Sequence, residues 1–235
     1  ELRTPVNSVV ALSTLLLAPS SPPLTTEQRE QVDLIASSGH TLLSLVNDLL
    51  DVAKAEAGHL DIHPQPVDLR LLFAHLGSLL LNSPNPDRVT LVTPGLEQQP
   101  ALVTDETLLV RILRNLLSNA LKFTERGEVR LDVAVDPEPA PHAVLFTVTD
   151  TGVGIPPDEL GRVFEAFYQV RGPHQRGRPG TGLGLPYART LTELLGGTLT
   201  LSSTAGVGTR VRVRLPDLGQ DPPKEPDTEG PGHDR

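Results

Sequence analysis

Cysteine, methionine and tryptophan are all absent from this chain of 235 residues. Without cysteine there is neither a disulfide framework nor a thiolate metal site, which agrees with a reducing compartment. No apolar run approaches the ~18 residues that a membrane span needs, so this stretch is expected to be cytoplasmic and to make no membrane contact. A longer parent would be anchored, if at all, through sequence upstream. Basic charge is also scarce: 20 Lys and Arg against 29 Asp and Glu leave a net charge of -9. Nucleic acid and anionic lipid reward clustered cations, and both are expected to be excluded as main partners. The chain opens on Glu1, a residue too bulky to follow a removed initiator Met, so further sequence is expected ahead of it.

What is present divides into three stretches. Residues 1 to about 17 and 25 to about 57 read as two helices joined by a linker with Pro19, Pro22 and Pro23. Thr25 and Gln28 have the spacing of a capping box. Val32, Ile35, Leu42, Val46, Leu49 and Ala53 alternate steps of three and four, with Gly39 filling the gap, as in the seam of a helical hairpin or bundle. At 1.5 Å per residue the arms span roughly 26 and 50 Å, so half of the second lacks a partner within the chain. Gly58, Pro64 and Pro66 end that pattern.

From there helices and strands mix. Residues 67–81 suit a helix, 89–93 a short strand, and 105–124 a longer helix opened by Thr104 or Asp105. Residues 128–135, 143–150, 197–203 and 209–215 alternate as strands do. Strands interrupted by helices in no regular order predict an α+β layer, not a doubly wound sheet. From Asp217 onward, seven of nineteen residues are Pro or Gly, and six acids face Lys224 and Arg235. That acidic tail is expected to be disordered. The expected division is therefore 1–63 helical hairpin, 64–216 α/β sandwich and 217–235 tail.

Chemistry gathers in the middle stretch. Asn115, Asn119 and Lys122 share one helical face, with Leu109, Ile112, Leu113, Leu116 and Leu117 opposite. Two amides and an ammonium can hold a hydrated Mg²⁺ and neutralise phosphate oxygens, although an ordinary polar surface has the same pattern. Asp150 stands at a strand end before Gly152 and Gly154, where a carboxylate can accept from an exocyclic amine; a tight turn begun by Asp reads alike. Gly180, Gly182 and Gly184 open a helix whose free amides and dipole favour phosphate. A dinucleotide-binding turn fits poorly, since the segment follows a polar loop and lacks the third glycine at its usual place. The preceding loop, with Arg171, His174, Arg176 and Arg178 and no acid, suits either a lid over polyphosphate or a merely solvated loop.

Taken in order, "RNLLSNALKFT", "DTGVGIP", "FEAFYQ" with Phe164 and Phe167, "GTGLGL" and "GVGT" resemble the N, G1, F, G2 and G3 boxes of an ATP-binding domain. That domain is shared by sensor histidine kinases, gyrase, Hsp90 and MutL. "ELRTPVN" resembles the phosphoacceptor box of histidine kinases, which the other members lack. The resemblance implies ATP and Mg²⁺ as cofactors. It implies Asn119 as metal ligand, Asn115 as its polar neighbour, Lys122 on the phosphates and Phe123 near the base. Asp150 would accept from the adenine amine, with Gly152 and Gly154 shaping the base pocket. Gly180, Thr181, Gly182, Leu183 and Gly184 would wrap the phosphates, and Thr209 would close the adenine site. The reactive His would stand immediately before Glu1, with Glu1 polarising its imidazole, Thr4 supporting dephosphorylation of a response regulator, and Pro5 kinking the helix. A homodimer through the hairpin and a receiver domain are the implied protein partners. Of the seven His, only His40 lies on the regular hairpin, and it lacks a following acid. A non-catalytic nucleotide-binding module and a gyrase- or MutL-like ATPase are the alternatives, the latter disfavoured by charge and by the hairpin.

Overall fold

The computed structural model describes residues 3–19, 21–56, 60–77, 87–95, 99–136, 142–170 and 181–219. Two helices come first, α1 (Arg3–Leu17) and α2 (Thr26–Glu56). The α2 cap is reciprocal: the Gln28 amide donates to Thr25 Oγ1 at 3.2 Å and the Thr25 amide to Gln28 Oε1 at 3.0 Å. Two N–H groups without helical acceptors are thereby satisfied at once. Gly39 lets α2 approach α1 closely, since a Cβ there would lie 2.6 Å from Val10 Cγ2. Along the rest of the seam, Ile35, Leu42 and Leu49 stay about half exposed. Pro5 falls in the first turn of the described α1.

The remaining elements are β1 (Gln65–Pro66), α3 (Leu69–Gly77), β2 (Val89–Val92), β3 (Val103–Thr104), α4 (Glu106–Phe123), β4 (Gly127–Val135), β5 (Ala143–Asp150), α5 (Gly184–Leu194), β6 (Thr198–Thr204) and β7 (Gly208–Pro216). Five strands form one mixed sheet in the order β2-β4-β5-β7-β6, parallel between β2 and β4 and antiparallel elsewhere. Inward residues alternate along it: Val129 and Leu131, then Phe146 and Val148, then Val211, Val213 and Leu215. Against this face pack the leucine stripe of α4, all of it buried, with Leu72 and Phe73 of α3 and Tyr187 and Leu191 of α5. The architecture is the expected α+β, with helices layered on a mixed sheet. α2 also touches α5.

Three details extend, decide or correct the expectation. The β1–β3 ribbon, two residues a side, is too short to leave a periodic signal. Thr104 belongs to that ribbon and is buried, so Asp105 alone caps α4, its Oδ1 accepting from the Leu108 amide at 3.0 Å. Asp217 and Leu218 are tied down, not loose: the Asp217 amide donates to His142, and the Leu218 amide to Val103. The rest of the acidic tail lies outside the described residues.

Candidate functional site

On α4 the polar face carries Asn115, Asn119 and Lys122, each half-buried. Asn115 Nδ2 donates to the Arg111 carbonyl at 2.9 Å, which fixes that amide against its own helix. Asn119 makes no side-chain hydrogen bond among the described residues, so its carboxamide is available to a ligand. Both face Gly184, the first residue of α5: a Cβ at 184 would sit 3.2 Å from Asn115 Oδ1 and from Asn119 Nδ2. Any side chain there would push the helix start away from the amides. The α5 N-cap, Leu183, supplies no side-chain cap, which leaves the amides of Gly184 and Leu185 open, Pro186 having no N–H of its own. The Leu183 side chain is buried, and its carbonyl accepts from the Tyr187 amide at 2.9 Å. Thr181 Oγ1 accepts from the Leu183 amide at 3.3 Å and shapes the entry to the helix.

A second cluster forms around Asp150 at the end of β5. Its Oδ1 accepts from the amides of Gly152 at 2.9 Å and Thr209 at 3.2 Å. Its Oδ2 has no partner among the described residues. Burial pushes the carboxyl above the usual carboxylate range, against the opposing pull of those two amides. Gly154 has a φ of 64°, a conformation that side chains avoid, and its turn is fastened on both sides. The Val153 amide donates to the Phe123 carbonyl at 3.2 Å, and the Gly206 amide to the Val153 carbonyl at 2.8 Å. The turn after β5 thus joins the end of α4 to the turn before β7.

Thr209 is oriented by Ser203, a residue with no motif to signal it. Ser203 Oγ donates to the Gly208 carbonyl at 2.8 Å, accepts from the Ile155 amide at 2.8 Å, and meets Thr209 Oγ1 at 2.9 Å. With the single Ser203 proton on Gly208, the Thr209 hydroxyl must donate to Ser203, and its lone pairs remain to accept. Lys122 Nζ lies 5.0 Å from the Phe123 ring centroid. Phe164 is stacked by Arg189, whereas Phe167 is exposed and has a φ of 66°. The Phe167 amide donates to the Gly182 carbonyl at 3.0 Å, which couples this unusual backbone to the phosphate-loop candidate.

The fold therefore brings Asn115 and Asn119 beside Gly184 and Phe123 beside Gly152, while Gly154 meets Thr204, Gly182 meets Phe167, and Asp150 and Thr209 are bonded to each other. Thr4 is elsewhere, exposed in the first turn of α1. Glu1, Gly180 and the arginine-bearing loop lie outside the described residues. No group of three His, Cys, Asp or Glu among the described residues could hold a metal, and no described helix is long and apolar enough to cross a membrane.

A sheet backed by helices, with carboxylate, amides and an open helix start on one side, defines a nucleotide-binding class of protein, and comparison with known proteins narrows it. Residues 104–219 match the family of histidine kinase-, DNA gyrase B- and HSP90-like ATPases, and residues 1–58 match the His kinase A phospho-acceptor domain. The aerobic respiration control sensor protein ArcB of Escherichia coli is 39% identical over 218 residues, covering 92% of this chain and 27% of its own length. The circadian input-output histidine kinase CikA of Synechococcus elongatus is 38% identical over 229 residues, covering 96% of this chain and 30% of its own. Among solved structures, full-length ShkA in complex with AMPPNP superposes with a TM-score of 0.74 at 33% identity, over 92% of this chain and 43% of that one. The chain belongs to the sensor histidine kinases and spans less than a third of the length of these two curated relatives.

Proposed function

We propose that this chain is the core of a two-component kinase: it binds ATP with Mg²⁺ and passes the γ-phosphate to a His directly ahead of Glu1, then to an Asp on a response-regulator receiver domain. The observation that carries the reading is the meeting of the unpartnered Asn119 amide with the uncapped start of α5 at Gly184. A carboxamide oxygen is a hard ligand, and Mg²⁺ takes few protein ligands beside phosphate oxygens, so the donor set fits. When bound, the metal neutralises charge on the β- and γ-phosphates. The chain's own residues do the rest. Asp150 Oδ2 accepts from the adenine amine and Thr209 Oγ1 lines the base. The Gly184 and Leu185 amides of α5 and Lys122 face the phosphates, with Asn115 one turn from Asn119 on the same face. Phosphoryl transfer needs mainly such positioning and charge neutralisation. Within the hairpin, Glu1 would polarise the acceptor imidazole and Thr4 would orient a water for regulator dephosphorylation.

The exposed leucines of the hairpin support a homodimer, and the division into 1–63, 64–216 and 217–235 follows the same reading, with Asp217 and Leu218 joined to the middle unit by their hydrogen bonds. The test is to extend the chain upstream through the His-bearing part of the helix and assay ³²P transfer from γ-labelled ATP. Acid-labile phosphohistidine is expected, and it should vanish in Asn119→Ala together with Mg²⁺-dependent nucleotide binding. Nucleotide binding without any phosphohistidine would replace the kinase by a non-catalytic binding module.

A further inference from the structure

Two contacts, one helical turn apart on each partner, join α4 to α5. The first is the close approach of Gly184 to Asn115 and Asn119. The second lies one turn deeper, where Arg111 Nη1 donates to the Tyr187 hydroxyl at 3.2 Å. Arg111, Asn115 and Asn119 follow one another at intervals of four on α4, and Tyr187 follows Gly184 by three on α5, so both contacts lie along the same seam. Tyr187 is only 1% exposed, set among leucines that would accept a phenyl ring equally well. Its hydroxyl is a polar cost there unless partnered, and the half-buried guanidinium partners it with a charge-assisted bond. Arg111 acts through its main chain too, since its carbonyl holds the Asn115 amide.

Leucine packing between the two helices resists separation but has little direction, whereas a hydrogen bond to a ring-borne hydroxyl fixes both height and rotation. A shift of α5 along α4 by a fraction of an ångström would move the first-turn amides relative to the Asn119 carboxamide. We propose that Arg111 and Tyr187 are positioning residues: their hydrogen bond sets α5 against α4 so that its open amides and Asn119 meet the same metal-bound triphosphate. The proposal rests on the nucleotide reading above. It assigns neither residue a contact with ATP, and it predicts that their loss is felt where metal and phosphate must be gripped together.

The experiment is calorimetric titration of the whole chain with AMPPNP, with and without Mg²⁺. Tyr187→Phe keeps the ring and removes the hydroxyl. It should weaken binding in Mg²⁺ about tenfold, a loss typical of a hydrogen bond to a charged group, while binding without Mg²⁺ changes less than about twofold. Arg111→Gln should weaken binding in Mg²⁺ likewise, and the double variant should lose less than the sum of the two single losses, since both singles remove the same hydrogen bond. Full affinity in Mg²⁺ for both variants would overturn the proposal. So would equal losses with and without Mg²⁺, which mark a general loosening of the core. If the unsubstituted chain fails to bind AMPPNP, the nucleotide reading itself falls; if it binds and both variants keep the gain due to Mg²⁺, only the positioning role falls.

Discussion

Asp150 carries a carboxyl that its burial makes harder to ionise. Burial raises its carboxyl above the unfolded value, so the folded state holds the proton more readily than the unfolded chain does. The sign follows by linkage: this group's favourable contribution is complete below the unfolded pKa and is lost as pH rises through the folded one. Once ionised, the Asp150 carboxylate therefore opposes folding, as suits an acceptor kept for a ligand. Asp150→Asn keeps an oxygen for the Gly152 and Thr209 amides and removes that charge, but it turns a donor toward the place of Oδ2. The variant should melt no lower than the parent at neutral pH and lose its advantage as pH falls toward about 4, while AMPPNP binding disappears. Melting curves across that range with a titration check it; a lowered melting temperature at neutral pH would contradict the argument.

The same scale shows what motif reading reaches. Asp150 and Asn119 were legible because the chemistry of each is local: a carboxylate at a strand end before glycines, and an amide on the polar face of an amphipathic helix. Ser203 was not. Its hydroxyl serves Ile155, 48 residues away, and in "TLTLSST" it is one polar strand residue among several. Tyr187 was hidden in the opposite way, since an aromatic at a buried helical position already has a sufficient role as core.

At the scale of elements, the caps do more than start helices. Asp105 gives Oδ1 to the Leu108 amide and Oδ2 to the His63 amide at 3.0 Å, so one nearly buried carboxylate both opens α4 and fastens the segment arriving from the hairpin. Asp105→Ala strands one buried donor, the Leu108 amide, and one part-buried donor, the His63 amide, and should cost about 2 kcal/mol, read from urea unfolding of the chain. Asp105→Asn, which keeps one acceptor, should recover part of it. An Ala variant as stable as the parent would show that water satisfies both amides. The capping box of α2 and the leucine stripe of α4 were readable from spacings of three and four. The β1–β3 ribbon was not, because two residues carry no period and their pairing spans a long excursion of the chain.

Across the whole molecule the hairpin is the unfinished part. Leu12, Leu15, Ile35, Leu42 and Leu49 are each about half exposed or more, a continuous apolar burden that a lone hairpin does not cover. A second copy packing along the α2 seam would bury it, as the proposed homodimer requires. Ile35→Asp with Leu42→Asp should yield a monomer by analytical ultracentrifugation while AMPPNP binding by the sheet domain persists. A parent chain that is itself monomeric would remove the basis for that assembly.

The amino-acid sequence by itself determined the helices, their apolar faces, the strand alternation and the order of the boxes, because each depends on residues a few positions apart. Which distant residues meet was decided only by the tertiary structure. Thr209 reaches Asp150 across 59 residues and Tyr187 reaches Arg111 across 76. Such meetings follow from strand order and from the seating of α5 on α4. Those are set by many small burial terms summed over the whole core, and no short stretch of the chain contains that sum.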